Sequence, residues 1–281
     1  MTSQRITRRH VDGVLRIIRH LWQHPREDTP LAVLADMAHF SPYHFHRIYV
    51  GIMKESVNAT RQRMRLQQAA VSLTRQAQAD MAQLARRSGY RSAAAFCRAF
   101  SRAYGLPPGR YRQACLSRSL SLTRMENAMY VPEFRTVSQP LPLAARPHRG
   151  DYMQIGQAFD ELALRANAWL TADSRWYGIY LDDPRVVAPT DLRAAACVSH
   201  PPDRALPEGL EAREIDAGRY VVIVHRGPYS ELEQAYGWLY GVWLPASGEA
   251  LADRPCVEAY LNLPHNTAPK DLLTEIWAPL A

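Results

Sequence analysis

Arg47 follows His46 and stands four residues after Tyr43, in a stretch whose apolar residues Phe45, Ile48, Tyr49 and Ile52 recur at helical spacing. Such a helix buries those four and turns Tyr43, His46, Arg47 and Val50 to the opposite side. Arginine reads guanine in a major groove, and histidine can donate to a base or a phosphate, so this face has the chemistry of DNA contact. A second stretch carries Ser92, Ala93, Ala94, Cys97 and Arg98 in the matching place. There Arg98 is the strong donor and Ser92 suits a phosphate, while alanines can touch only thymine methyl groups. Arg61, with Arg63 and Arg65, suits phosphates or solvent better than bases. A different chemistry is suggested by Glu258, an acid inside the apolar run Cys256–Leu261, where alternation places it with Cys256 and Tyr260. A half-buried carboxylate is costly unless it is paired, and its partner could be an internal arginine. The same half of the chain gathers the aromatic residues Tyr152, Trp176, Tyr180, Tyr229, Trp238, Tyr260 and Trp277, candidates for a ligand wall. No serine–histidine–aspartate set, phosphate-binding glycine loop or HExxH run is present, and the two HRG segments read as glycine turns that cap helices.

The elements that must hold these residues are of two kinds. The first half reads as helices: about 11–22, ended at His24–Pro25; Leu31 to Met37; one starting at Ser41–Pro42; about Asn58 to Gln76; Met81 to Ser88; and Ser92 to Ala103. Pro107–Pro108 reads as the end of the array. The run 34–49 can be laid over 84–100, matching Leu34–Ala35 with Leu84–Ala85, Phe40 with Tyr90, and Arg47 with Arg98. Two short-helix, turn, helix units joined by one long helix can place two recognition helices about one DNA turn apart, roughly 34 Å. His39 stands in the first turn where Gly89 stands in the second, a position suited to a left-handed backbone.

The second half has short β-like runs at 130–137, 141–146, 176–181, 194–199, 220–225, 256–261 and 273–277, with helical segments at about Tyr152 to Leu170 and Tyr229 to Leu244. It repeats as well: HRGDY at 148–152 returns as HRGPY at 225–229, and the strand ending Tyr180-Leu-Asp-Asp-Pro184 returns as Tyr260-Leu-Asn-Leu-Pro264. The counterpart of Glu258 in the first copy is Gly178. Two such copies about a pseudo-twofold would leave a ligand groove between them. The charge is split in the same place. Residues 1–115 hold 19 Lys and Arg against 6 Asp and Glu, or +13, and residues 116–281 hold 15 against 21, or −6. The basic half is therefore the one expected to meet nucleic acid. The four cysteines are far apart without CxxC spacing, so no metal, cofactor or disulfide framework is expected. No run approaches the roughly 20 apolar residues of a membrane span, and a cytoplasmic protein without membrane contact is expected.

These residues carry two resemblances. Leu34–Ala35, Ser41, Phe45-His46-Arg47, Arg65-Leu66, Ala69–Ala70, Leu84–Ala85, Gly89–Tyr90, Phe96, Arg98, Phe100, Gly105, Pro108 and Tyr111–Arg112 resemble the double helix-turn-helix domain of the AraC/XylS regulators. HRGDY, YGIYLDDP, AGRYVVIVHRGPY, VEAYLNLP and EIWAPL are similar to the GyrI-like effector-binding domain, and the order of the two resembles the Rob type of regulator. The resemblance implies an all-α double helix-turn-helix domain (1–115), a linker (116–128) and an α+β GyrI-like domain of two pseudo-twofold strand-helix-strand repeats (129–281). It implies an AraC-family transcriptional regulator whose partners are double-stranded DNA, a small-molecule effector and RNA polymerase, and which is not an enzyme. The glutamate matching Glu258 faces the ligand groove in that family, implying an aromatic or cationic lipophilic effector and multidrug recognition. Two other functions are compatible with the same residues: a GyrI-like hydrolase acting through the groove carboxylate, and a C-terminal domain that binds a partner protein.

Overall fold

The computed structural model describes residues 8–75, 80–120, 130–201 and 203–281, except for the side chains of Tyr43, 116 and 118–120. In the N-terminal half, α1 (Arg8–Gln23), α2 (Leu31–Met37) and α3 (Pro42–Met53) form a first unit around Ile17, Ile18, Leu34, Phe45 and Tyr49. Ser41 caps α3 by accepting from the His44 amide, with proline in the first turn. The long α4 (Val57–Arg75) leads to α5 (Met81–Arg87) and α6 (Ala93–Tyr104), which pack around Leu84, Phe96, Phe100 and Tyr104. Ser92 caps α6 as Ser41 caps α3. Pro107–Pro108 does not end the array. Proline is well placed at the start of a helix, and Pro108 opens α7 (Pro108–Leu120), which buries Tyr111 and Cys115 in the second core. The expected linker at 116–128 therefore begins inside α7, and its remainder, 121–128, lies outside the described residues.

The equivalent turns are both left-handed, His39 at φ 58° and Gly89 at φ 73°. At Gly89 a side chain meets a second obstacle, because a Cβ would stand 2.0 Å from Nη1 of Arg65. That guanidinium cannot simply swing away, since it donates to the Pro25 and Glu27 carbonyls and to Asp28. Gly89→Ala is expected to lower stability by about 1–3 kcal/mol, from backbone strain and a displaced arginine together. Denaturant unfolding of the full chain checks this, and an unchanged midpoint would refute it.

In the C-terminal half, among the described residues, eight strands form one antiparallel sheet: β1 (Glu133–Val137), β2 (Leu141–Arg149), β3 (Trp176–Tyr180), β4 (Arg193–Ser199), β5 (Glu211–Ile215), β6 (Gly218–Arg226), β7 (Cys256–Tyr260) and β8 (Leu273–Pro279). The order β1-β6-β8-β7-β3-β4-β2-β5 reads the same from both ends once each strand is exchanged for its repeat partner, so the pseudo-twofold axis passes between β3 and β7. One face is covered by α8 (Gly156–Ala166) over β2 and β4 and by α9 (Leu232–Trp238) over β6 and β8. The other face closes on its own side chains, including Tyr177, Tyr220 and Trp277.

The two halves are docked. Leu164 of α8 joins the first helical core. Arg19 of α1 makes paired hydrogen bonds to Glu161 at 3.0 and 3.1 Å, and Trp22 Nε1 donates to Asp160 at 3.0 Å. The second unit meets the other repeat where Tyr111 and Ser230 hydroxyls bond at 2.8 Å. Between these contacts α4 crosses the repeats, with Arg75 paired to Asp151.

Candidate functional site

The DNA-facing candidates fall on α3 and α6. His46 and Arg47 are exposed on α3, and the Tyr43 side chain lies outside the described residues. On α6, Ala94 and Arg98 are exposed four residues apart, while Ala93 and Cys97 are half-buried against the second core. Ser92 Oγ accepts from the Ala95 amide at 3.2 Å, a cap that leaves its hydroxyl proton for another acceptor. Arg61 must be withdrawn as a DNA contact. It is buried, donates to the Thr29 carbonyl at 3.0 Å and stands 3.7 Å from Asp28, so it holds the α1–α2 connection instead. Arg65, four residues on, does the same work on the same face. Arg86, Arg87 and Arg91 are exposed, as phosphate contacts require.

The second candidate site is a cavity of about 1660 Å³ at the pseudo-twofold axis. Glu258 lies in its wall, 4% exposed. Its carboxylate accepts from Tyr236 at 2.9 Å on one oxygen and from Tyr260 at 2.9 Å on the other. Tyr180 and Tyr260, equivalent in the two repeats, bond hydroxyl to hydroxyl at 2.8 Å; since Tyr260 donates to Glu258, its oxygen accepts from Tyr180. The register of β3 on β7 sets Gly178 directly opposite Glu258. A Cβ at Gly178 would stand 2.7 Å from the Tyr260 hydroxyl and 2.7 Å from the Tyr180 ring, so glycine makes the space in which those groups meet. The repeat thus explains why the counterpart of Glu258 bears no side chain.

Among the described residues, no cation figures in the electrostatic surroundings of Glu258. Burial pushes its pKa from the ordinary carboxylate value up to about 7, against the pull of the tyrosine hydroxyls. The internal-arginine alternative is therefore not realised among the described residues. Tyr152, Trp176, Tyr180, Tyr229 and Tyr260 line the cavity as expected. Tyr152 is tied back by its hydroxyl to the Asp182 and Arg193 carbonyls. Tyr229 and Tyr260 meet edge to face at 5.4 Å. Two expected members are elsewhere. Trp277 lies on the opposite face of the sheet, where Nε1 donates to Glu275 and Arg135 stacks at 4.6 Å over its ring. Trp238 is in the core under α9 against Tyr130.

The sequence reading passed over Phe159, Tyr236 and Tyr240, all in the cavity wall, where Cys256 also stands. Tyr229, Tyr236 and Tyr240 stand seven and four residues apart, a helical stripe that was legible. The Tyr240 hydroxyl meets Cys256 Sγ at 2.8 Å, and burial pushes that thiol up to about 11, so it stays protonated. One part of the wall was not legible at all, because it comes from the other domain. Ile52 and Met53 at the end of α3, Glu55, and Arg63, Gln67 and Arg75 of α4 complete the cavity.

Comparison with known proteins agrees with both halves. Residues 131–281 match the GyrI-like small molecule binding domain, and residues 34–114 match a helix-turn-helix domain. The chain is 31% identical over 147 residues to a protein named probable transcriptional regulator YgiV from Escherichia coli, covering 50% of this chain and 91% of that one. It is 33% identical over 115 residues to a DNA gyrase inhibitor from Erwinia billingiae, covering 38% and 70%. A cryo-EM structure of an EcmrR–DNA complex aligns over 96% of this chain and 98% of its own, at 14% identity and a TM-score of 0.49, a likeness too low to carry an argument. The chain belongs to the GyrI-like small-molecule-binding family and carries an AraC-type helix-turn-helix DNA-binding domain in front of that domain.

Proposed function

We propose that the protein is an effector-responsive transcription regulator in which α3 and α6 read duplex DNA and the cavity around Glu258 takes a lipophilic aromatic cation. The observation that carries the effector class is a buried carboxylate held by tyrosine hydroxyls, with no cation paired to it among the described residues. A ligand cation supplies the missing charge, and the surrounding rings supply cation–π contact. The name of the relative YgiV supports the regulatory reading. RNA polymerase is the partner on which such a regulator acts.

The effector class is tested with tetraphenylphosphonium against uncharged triphenylphosphine oxide. The cation is expected to raise the thermal midpoint of the full chain well above the rise given by the neutral compound. Equal shifts, or none, would defeat this reading. A hydrolase using the same carboxyl predicts instead that bound esters are turned over, which chromatography of the recovered compound detects.

The DNA reading has its own test. Arg47→Ala is expected to cost about 1–3 kcal/mol of operator affinity and to relax preference at one base position. Binding-site selection followed by titration at two salt concentrations measures both effects. Retained preference at every position would remove Arg47 from base reading.

A further inference from the structure

The cavity has a second charged end, and it lies where the two domains meet. Arg63 of α4 makes hydrogen bonds to Glu55 at 2.6 and 3.2 Å. The same guanidinium is 3.7 Å from Asp160 Oδ1, beyond hydrogen-bond distance. The other oxygen of Asp160 accepts from Trp22. Two carboxylates therefore share one guanidinium, and all three side chains line the cavity. The neighbouring basic groups do not settle the imbalance. Lys54 Nζ is turned to the Gly51 carbonyl at 2.8 Å, and burial holds the His265 imidazole below its ordinary pKa, neutral near pH 7. Burial also pushes the Asp160 carboxyl upward despite Arg63 and Trp22, so its anion lacks full compensation.

Aromatic rings connect this end with Glu258. Tyr260, bonded to Glu258, meets Phe159 edge to face at 5.2 Å, and Phe159 precedes Asp160 in α8. Tyr229 stands within electrostatic reach of both Glu258 and Arg63. The wall thus runs from carboxylate to rings to carboxylate, a pattern that fits two positive charges separated by an apolar spacer.

We propose that Glu55, Arg63 and Asp160 form a second ligand-recognition point in the cavity, which takes the far cationic end of an elongated dication whose near end lies against Glu258. This inference rests on the reading of the cavity as the effector site. It makes the DNA-binding domain part of that site, so that ligand and DNA affinities are linked through α3 and α4.

The test is calorimetric titration of the full chain with bis(trimethylammonium)alkanes of rising chain length, each against the singly charged alkyltrimethylammonium of the same length. One window of lengths is expected to favour the dication by at least about tenfold, the order of one desolvated charge pair. Asp160→Asn keeps an acceptor for Trp22 and removes the charge. It is expected to abolish that preference and leave the monocation unchanged, whereas Glu258→Gln weakens both. If Asp160→Asn lowers the thermal midpoint, Glu55→Gln is read instead. It frees Arg63 to neutralise Asp160 and should erase the preference in the same way. Equal affinity of the paired compounds at every length, or a preference that survives both variants, overturns the second point while the Glu258 reading stands. Failure of both series to bind wild-type protein overturns the effector reading itself, and this inference with it.

Discussion

Glu258→Gln is expected to reduce affinity for a permanent aromatic cation by at least about tenfold and to leave DNA affinity unchanged. Glutamine keeps the outline and an acceptor for Tyr236 or Tyr260, so the loss reports charge. The wild-type protein should also show a pH dependence that the variant lacks. The folded-state pKa, about 7, lies above the ordinary carboxylate value of 4.5, so the folded protein keeps a proton that the unfolded chain has released. Stability contributed by this group is full below about pH 4.5 and is lost as pH rises through about 7, a change on the order of 2–4 kcal/mol. Cation binding runs the other way. It needs the ionised carboxylate, so affinity rises with pH up to about 7 and then levels, and below that pH binding releases a proton. Calorimetry in buffers of different ionisation enthalpy counts the proton. The variant should bind weakly at every pH and, above pH 7, unfold no earlier than wild type. A marked loss of ligand-free stability in the variant would instead mean that the carboxylate is needed by the fold.

Arg63→Met should cost about 3–5 kcal/mol, the usual result of removing one partner from a buried ion cluster. Among the described residues, Glu55 would keep the Thr60 hydroxyl, which donates to it at 2.8 Å, and Asp160 would keep Trp22 as their hydrogen-bond donors. Thr60 in turn accepts from Tyr49 of α3 at 2.9 Å, so the same chain reaches α3. Burial alone would lower the Arg63 pKa, but Asp160 and Glu55 outweigh it and hold it above the ordinary value, so the charge is present at every working pH. The loss should appear as a lower thermal midpoint and as faster proteolysis between the halves. An unchanged midpoint would show that the cluster contributes nothing net.

Much of the scaffold was legible because its signals are local. The apolar run of α2 gave its bounds to the residue, and the Ser41 cap marked where α3 begins. The alternation in β7 placed Cys256, Glu258 and Tyr260 together. β5 was missed because, of its five residues, only Ile215 is buried, leaving no period to read. Trp277 and Trp238 were misplaced by residue type overriding parity. Trp277 pairs with Val257, while Ile276 pairs with Glu258, so Trp277 belongs to the opposite face. Tyr236 and Trp238 are two residues apart on one helix and cannot share a side. The arginines of α4 carried the same warning: Arg61 and Arg65 share a face and Arg63 points away from it. What no local pattern encodes is the pairing of Arg63 with Asp160, separated by the whole linker and the first strands of the second domain.

The register that opposes Gly178 to Glu258 makes a duplicated architecture non-degenerate. Carboxylates at both positions would face each other across the axis, and like charges at such range cannot both ionise, so the two would share a proton and bind a cation weakly. A groove with identical ends would also accept any elongated guest in two equivalent poses. Placing the acid in one copy and a hydrogen atom in the other gives the site a head and a tail. An asymmetric guest then has a single preferred orientation, and its two ends report to different halves of the repeat.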